Sequence, residues 1–162
     1  MALTVIGIGL FLMFSAYLFV PSRSQTENTA QSALSFLTTT QIENLNDPYA
    51  GIGGELWQQG KITQQKNTLL QQIAEFEAKD DAATGELFVG AILDEIVQEN
   101  YGFQIKVDGQ FVYPLAESQA MIDSKENTDL LIAKESISYG ILNSTTFEVF
   151  GPSRVQILVW HE

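Results

Sequence analysis

The hydrophobic pattern of this chain changes character along its length. From Met1 to Ser22, MALTVIGIGLFLMFSAYLFVPS, nearly every position is apolar or small and none is charged. After Arg23 the apolar residues Ala30, Ala33, Leu34 and Leu37 recur at helical spacing, which predicts an amphipathic helix over residues 24–40. Thr38–Thr40 marks its end, because β-branched side chains lose rotamer freedom in a helix. Pro21 has no backbone donor and clashes with the preceding turn, so a kink is expected between the two segments.

ENLNDPYAGIGGEL, residues 43–56, concentrates Asn, Asp, Pro and Gly and reads as a loop. Its GIGGE, residues 51–55, is expected to need positive φ. ITQQKNTLLQQIAEFEAK, residues 62–79, reads as a helix with Leu69, Ile73 and Phe76 on one face and Leu70 beside them. DDAATG breaks it, and Asp81 or Thr84 is placed to cap a further helix over about 84–99. The apolar stripe of that helix is Phe88, Ile92, Leu93, Ile96 and Val97, and Gly102 reads as its stop.

Beyond that point the period becomes two. Phe103, Ile105 and Val107 alternate with Gln104 and Lys106, and Asp108-Gly109 between FQIKV and QFVYP predicts a hairpin. TDLLIAKESISYGIL and TTFEVFGPSRVQILVW supply further strands, with Gly151-Pro152 read as the turn between the last pair. The expected fold class is α+β. A long N-terminal hydrophobic helix continues into a globular domain with two further helices and a C-terminal antiparallel sheet of four or five strands. The division is residues 1–22 as a hydrophobic transmembrane or filament-core helix and residues 23–162 as the globular domain.

As a helix, the first 22 residues span about 33 Å, enough for a hydrocarbon core of about 30 Å. A secretory signal has basic residues first, a shorter apolar run and a small-x-small cleavage site. Here no basic residue precedes the run, and Leu18-Phe19-Val20-Pro21 is a poor cleavage site. A plain signal anchor carries Lys or Arg on its cytoplasmic flank, and none stands before this run.

An uncharged helix of this length with no basic flank, Pro21 near its end, and the helical continuation TENTAQSALSFLTTT together resemble the type IV pilin superfamily. Bacterial members carry a glutamate at the fifth mature position, where this chain has Val5. Archaeal type IV pilin-like proteins and archaeal flagellins lack that acid, so the resemblance is to the archaeal branch. It covers about the first 40 residues by motif and the remainder only by architecture. It implies that Met1 is a processed terminus left by removal of a basic leader. It also implies a structural subunit of an extracellular, cell-surface filament, held in the membrane before assembly and served by a processing peptidase and assembly machinery. The implied contacts of the homopolymer are Val5, Ile6, Ile8, Leu10, Phe11, Leu12, Phe14, Tyr17, Leu18 and Phe19. Whether such a filament serves adhesion, motility or uptake stays open. A membrane-anchored extracytoplasmic binding or sensing module, and a minor pilin, are the alternatives.

Composition narrows the chemistry. Twenty acidic and eight basic residues give a net charge of −12, all of it after residue 22, which disfavours nucleic acid and anionic lipid headgroups as ligands. There is no cysteine and one histidine, His161, so the common zinc sites cannot be built. Asp80-Asp81 with Glu86 lacks the alternating ligands and glycine of an EF-hand and reads as a solvated capping turn. GIGGE has no following Lys-Ser/Thr and is not a phosphate loop. No nucleophile motif is present, so no catalytic residue, cofactor or metal is expected and the chain does not read as an enzyme. Tyr49, Trp57, Phe76 and Trp160 are expected in the core or at subunit contacts, and Asn143-Ser144-Thr145 is the one glycosylation sequon.

Overall fold

The computed structural model describes residues 23–45, 50–93, 96–97, 100–114, 131–143 and 148–161. The fold is α+β, a four-stranded antiparallel sheet with helices packed on one face. Among the described residues no helix is long and apolar enough to cross a membrane. The expected apolar helix and the kink at Pro21 lie outside the described residues.

Helix α1, Arg23–Thr39, follows the predicted stripe and buries Thr26, Ala30, Ala33, Leu34 and Leu37 against strands introduced below. Ala30 and Ala33, almost without exposure, leave no side-chain bulk between helix and sheet. In the last turn the Thr38 and Thr39 hydroxyls donate back to the carbonyls of Leu34 and Ser35, at 3.0 and 2.8 Å, and the helix stops there. A short 3₁₀ turn follows at Ile42–Asn44.

The next element corrects the sequence reading. GIGGE is not a loop but part of helix α2, Ala50–Gln58, so among the described residues three helices follow α1 instead of two. Tertiary packing overrides the low helix propensity of glycine. Leu56 is buried in the core, and a Cβ on Gly53 would sit 3.1 Å from Ile42 Cγ2 and 3.6 Å from Leu45 Cδ1. The residue that does take positive φ is Gly60, at +70°, just past the helix end.

Helix α3 spans Leu69–Ala78 rather than the whole of 62–79. The Thr68 hydroxyl accepts from the Gln71 N–H at 3.2 Å while the Gln71 carbonyl oxygen accepts from the Thr68 N–H at 2.9 Å. This capping box fixes the start, and residues 61–67 form a loop pinned by buried Ile62. Helix α4, Ala82–Leu93, is capped by Asp81, whose carboxylate accepts from the Thr84 hydroxyl at 2.8 Å. The helix is over by Ile96, earlier than expected, although Val97 is still buried and Ile96 packs on the core. Phe76 of α3 and Phe88 of α4 meet edge-on at 5.4 Å.

The strands are β1, Tyr101–Val107, β2, Gln110–Tyr113, β3, Ile132–Asn143, and β4, Glu148–His161, in the order β2-β1-β4-β3. Asp108 at φ 50° and Gly109 at φ 86° form the predicted β1–β2 turn. Gly102 is no helix stop. It lies in β1, where a Cβ would fall 2.3 Å from Cε2 of the Trp160 ring. Gly151-Pro152 is no turn either, because β4 runs through it. Ser138 pairs with Ser153 and Gly140 with Phe150, so Gly151 and Pro152 together oppose Tyr139 in a β-bulge. A bulge tolerates proline inside a sheet, and Gly151 supplies φ +92°. Ile105, Val155, Ile157 and Val159 face the helices and close the core over Leu37, Leu69, Ile73 and Phe76.

Candidate functional site

The filament contacts read from the sequence, Val5 through Phe19, lie outside the described residues, as does Tyr49. Asn143 ends β3 opposite Glu148, and its side chain and the rest of the sequon are likewise outside them. α1 is fastened to the sheet through Glu27, near the N-terminal end of its described span. Lys134 of β3 donates to Glu27 at 2.8 Å, and this bond, with the charge of Lys134, holds the Glu27 carboxyl below the usual carboxylate range.

The acidic turn does capping work. Asp81 accepts from Lys61 at 2.6 Å as well as from Thr84, and the lysine bond first, then the threonine, lowers its carboxyl below the ordinary value. Glu77 behaves oppositely. Partial burial pushes its carboxyl up, and the nearby charges of Asp80 and Asp108 add to the rise. Among the described residues no group of three or more His, Asp or Glu is arranged to hold a metal ion. His161 packs edge-on to Tyr101 at 5.3 Å with its Nε2 3.3 Å from the Asn100 amide. Phe76 is core, Trp160 is buried, and Trp57 is 42% exposed.

Sequence reasoning missed two features. The first is a buried carboxylate, Glu75, on the inner side of α3. One oxygen accepts from the Thr63 N–H, the Thr63 hydroxyl and Lys79, and the other accepts from the Asn67 amide at 2.8 Å. With both its oxygens hydrogen-bonded, the group acts as a clamp on the 61–67 loop. The only sequence signal was the i, i+4 spacing of Glu75 and Lys79.

The second is a cleft of about 470 Å³ between that loop and the β3–β4 bulge. Gln64, Asn67 and Gln71 form one wall, and Tyr139, Val149 and the bulge residues Gly151 and Pro152 form the other. Tyr139 and Val149 are each 68% exposed. Around the bulge a second groove of about 560 Å³ carries Lys106, Asp108, Ile137 and Arg154, its charges mixed. The cleft residues come from segments about 70 residues apart, a separation no local motif marks.

Compared with known proteins, the chain matches no family model, and neither a curated protein nor a solved structure matches it.

Proposed function

We propose that this chain is the structural subunit of an extracellular type IV pilus-like filament of the archaeal kind, polymerising through residues 1–22. The observation that carries the reading is the junction at residue 23. In the sequence the uncharged apolar run of residues 1–22 stands immediately before α1, whose own apolar stripe is packed on an antiparallel sheet. In this reading a pull on the apolar segment reaches the folded domain at the N-terminal end of α1.

In this reading the apolar segment is held by lipid before assembly and by its neighbours afterwards. Each buried Leu, Ile or Phe side chain contributes roughly 1.5–3 kcal/mol, and the segment is dense in them. A head-to-tail contact that does not close produces an open helical fibre. The net charge of −12 lies wholly on the outward part and keeps neighbouring fibres apart. The chemistry is mechanical, with no catalytic group, and adhesion, motility and uptake are all compatible with it.

Replacing Ile8 or Leu12 with Asp is expected to abolish fibres, because an unpaired charge in an apolar bundle costs several kcal/mol per subunit. Electron microscopy of cells making either variant reads the outcome, and normal fibres would refute the helical core. The cleft favours a second reading, a membrane-anchored binding module. In that case wild-type cells show the protein in the membrane and no fibre containing it. A minor pilin would appear at few copies per fibre.

A further inference from the structure

We infer that the cleft beside the β3–β4 bulge binds a neutral, hydroxyl-rich ligand, an uncharged oligosaccharide. In a chain of net charge −12, none of the described residues lining this cleft is charged. An ionic ligand entering it would lose hydration with no counter-charge in return. The cleft offers amides and an aromatic ring instead. The Gln64 amide is half-buried and has no partner among the described residues, and it carries both donors and an acceptor. Gln71 uses its carbonyl oxygen on the Thr68 N–H and one N–H on the Tyr139 carbonyl at 3.1 Å, which leaves its second N–H. An amide presents a donor and an acceptor side by side, as a pair of vicinal hydroxyls requires. Tyr139 also lines the cleft and is 68% exposed, and its ring is a flat surface suited to the C–H face of a pyranose, with a hydroxyl at its rim.

The walls are set before any ligand arrives, which reduces the ordering cost of binding. The Glu75 clamp holds Asn67 and Thr63, and the Thr63 hydroxyl lies 3.2 Å from the Leu142 carbonyl oxygen. Across the cleft Gly151 lies so close to β3 that a Cβ there would be 2.6 Å from the Ser138 carbonyl oxygen. The volume falls in the range of ligand sites, about 300–1,000 Å³. A peptide adding as a strand fits less well. The Tyr139 carbonyl of β3 beside the cleft already accepts from Gln71. The inference stands whether or not the chain polymerises.

The test is saturation-transfer NMR on the full chain in a zwitterionic, sugar-free detergent. The probes are cellotriose, maltotriose and chitotriose, with sialyllactose as a charged comparison and tetraalanine as a peptide. At least one neutral trisaccharide is expected to bind with a millimolar Kd. Tyr139→Ala and Gln64→Ala each weaken it roughly ten-fold, while Tyr139→Phe keeps the ring and most of the binding. Both positions are solvent-accessible, and circular dichroism checks that the variants fold. The inference is overturned if no neutral trisaccharide binds at about 10 mM. It is equally overturned if binding ignores both alanine variants or if sialyllactose is preferred. Tetraalanine binding in place of the sugars, weakened by the same variants, would overturn it in favour of strand addition.

Discussion

Glu77 and Asp81 sit at the same end of the same helix pair and titrate in opposite directions. Glu77 is raised by partial burial and by the charges of Asp80 and Asp108. The folded state therefore holds that proton more tightly than the unfolded chain does. Stability falls as pH rises from the ordinary carboxylate value through the raised one, and the loss is complete above it. Glu77→Gln is expected to raise the melting temperature at pH 7 and to flatten that part of the pH profile in thermal scans. Asp81 is lowered, by Lys61 first and then Thr84, so its contribution is present at neutral pH and disappears as pH falls through the lowered value. Asp81→Ala removes the cap of α4 and should cost about 0.5–2 kcal/mol in urea unfolding at pH 7. Little of that cost should remain well below the carboxylate range, where the group is protonated in both states.

Among the elements, the strands depend on close approaches that only glycine permits. The Trp160 ring lies over Gly102 with Cε2, Nε1 and Cζ2 at 2.3, 2.4 and 2.5 Å from where a Cβ would stand. Gly102→Ala must push an indole out of a buried site, and a loss of about 1–3 kcal/mol is expected from chemical denaturation. Gly51→Ala is the contrast. It meets nothing within 4 Å and adds helix propensity to α2, so it should be neutral or stabilising by up to about 1 kcal/mol. A large loss there would mean that this stretch is not helical in solution. The two substitutions separate glycines that packing requires from a glycine that it merely accepts.

For the whole molecule, residues 23–162 carry the full charge of −12 and the whole described core. Expressed alone, they are expected to be a soluble monomer with helix and strand signals in circular dichroism and one small species in sedimentation. Self-repulsion disfavours association once the apolar run is gone. Fibres formed by this fragment would move polymerisation into the domain and refute the helical-core mechanism.

The sequence by itself determined the parts whose information is local. The stripe Ala30, Ala33, Leu34, Leu37 has one period and one buried face, and α1 follows it almost to the residue. Asp108-Gly109 names its own turn, because both residues accept positive φ. The strand alternation and the stripes of α3 and α4 likewise yielded the α+β class and the antiparallel sheet. What only the tertiary structure decided depends on partners distant in the chain. GIGGE became helix because Gly53 fits against Ile42 and Leu45 and because Leu56 has a core to enter. Gly151-Pro152 became a bulge because β3 pairs with β4 on both sides of it. Gly102 became strand because Trp160, 58 residues further on by number, needed its empty face. The cleft was invisible for the same reason. Gln64 and Tyr139 are unremarked polar and aromatic positions until the Glu75 clamp and the bulge bring the loop and the hairpin into one wall and its opposite. Periodicity reports which face of an element is buried, and contacts across long loops report against what.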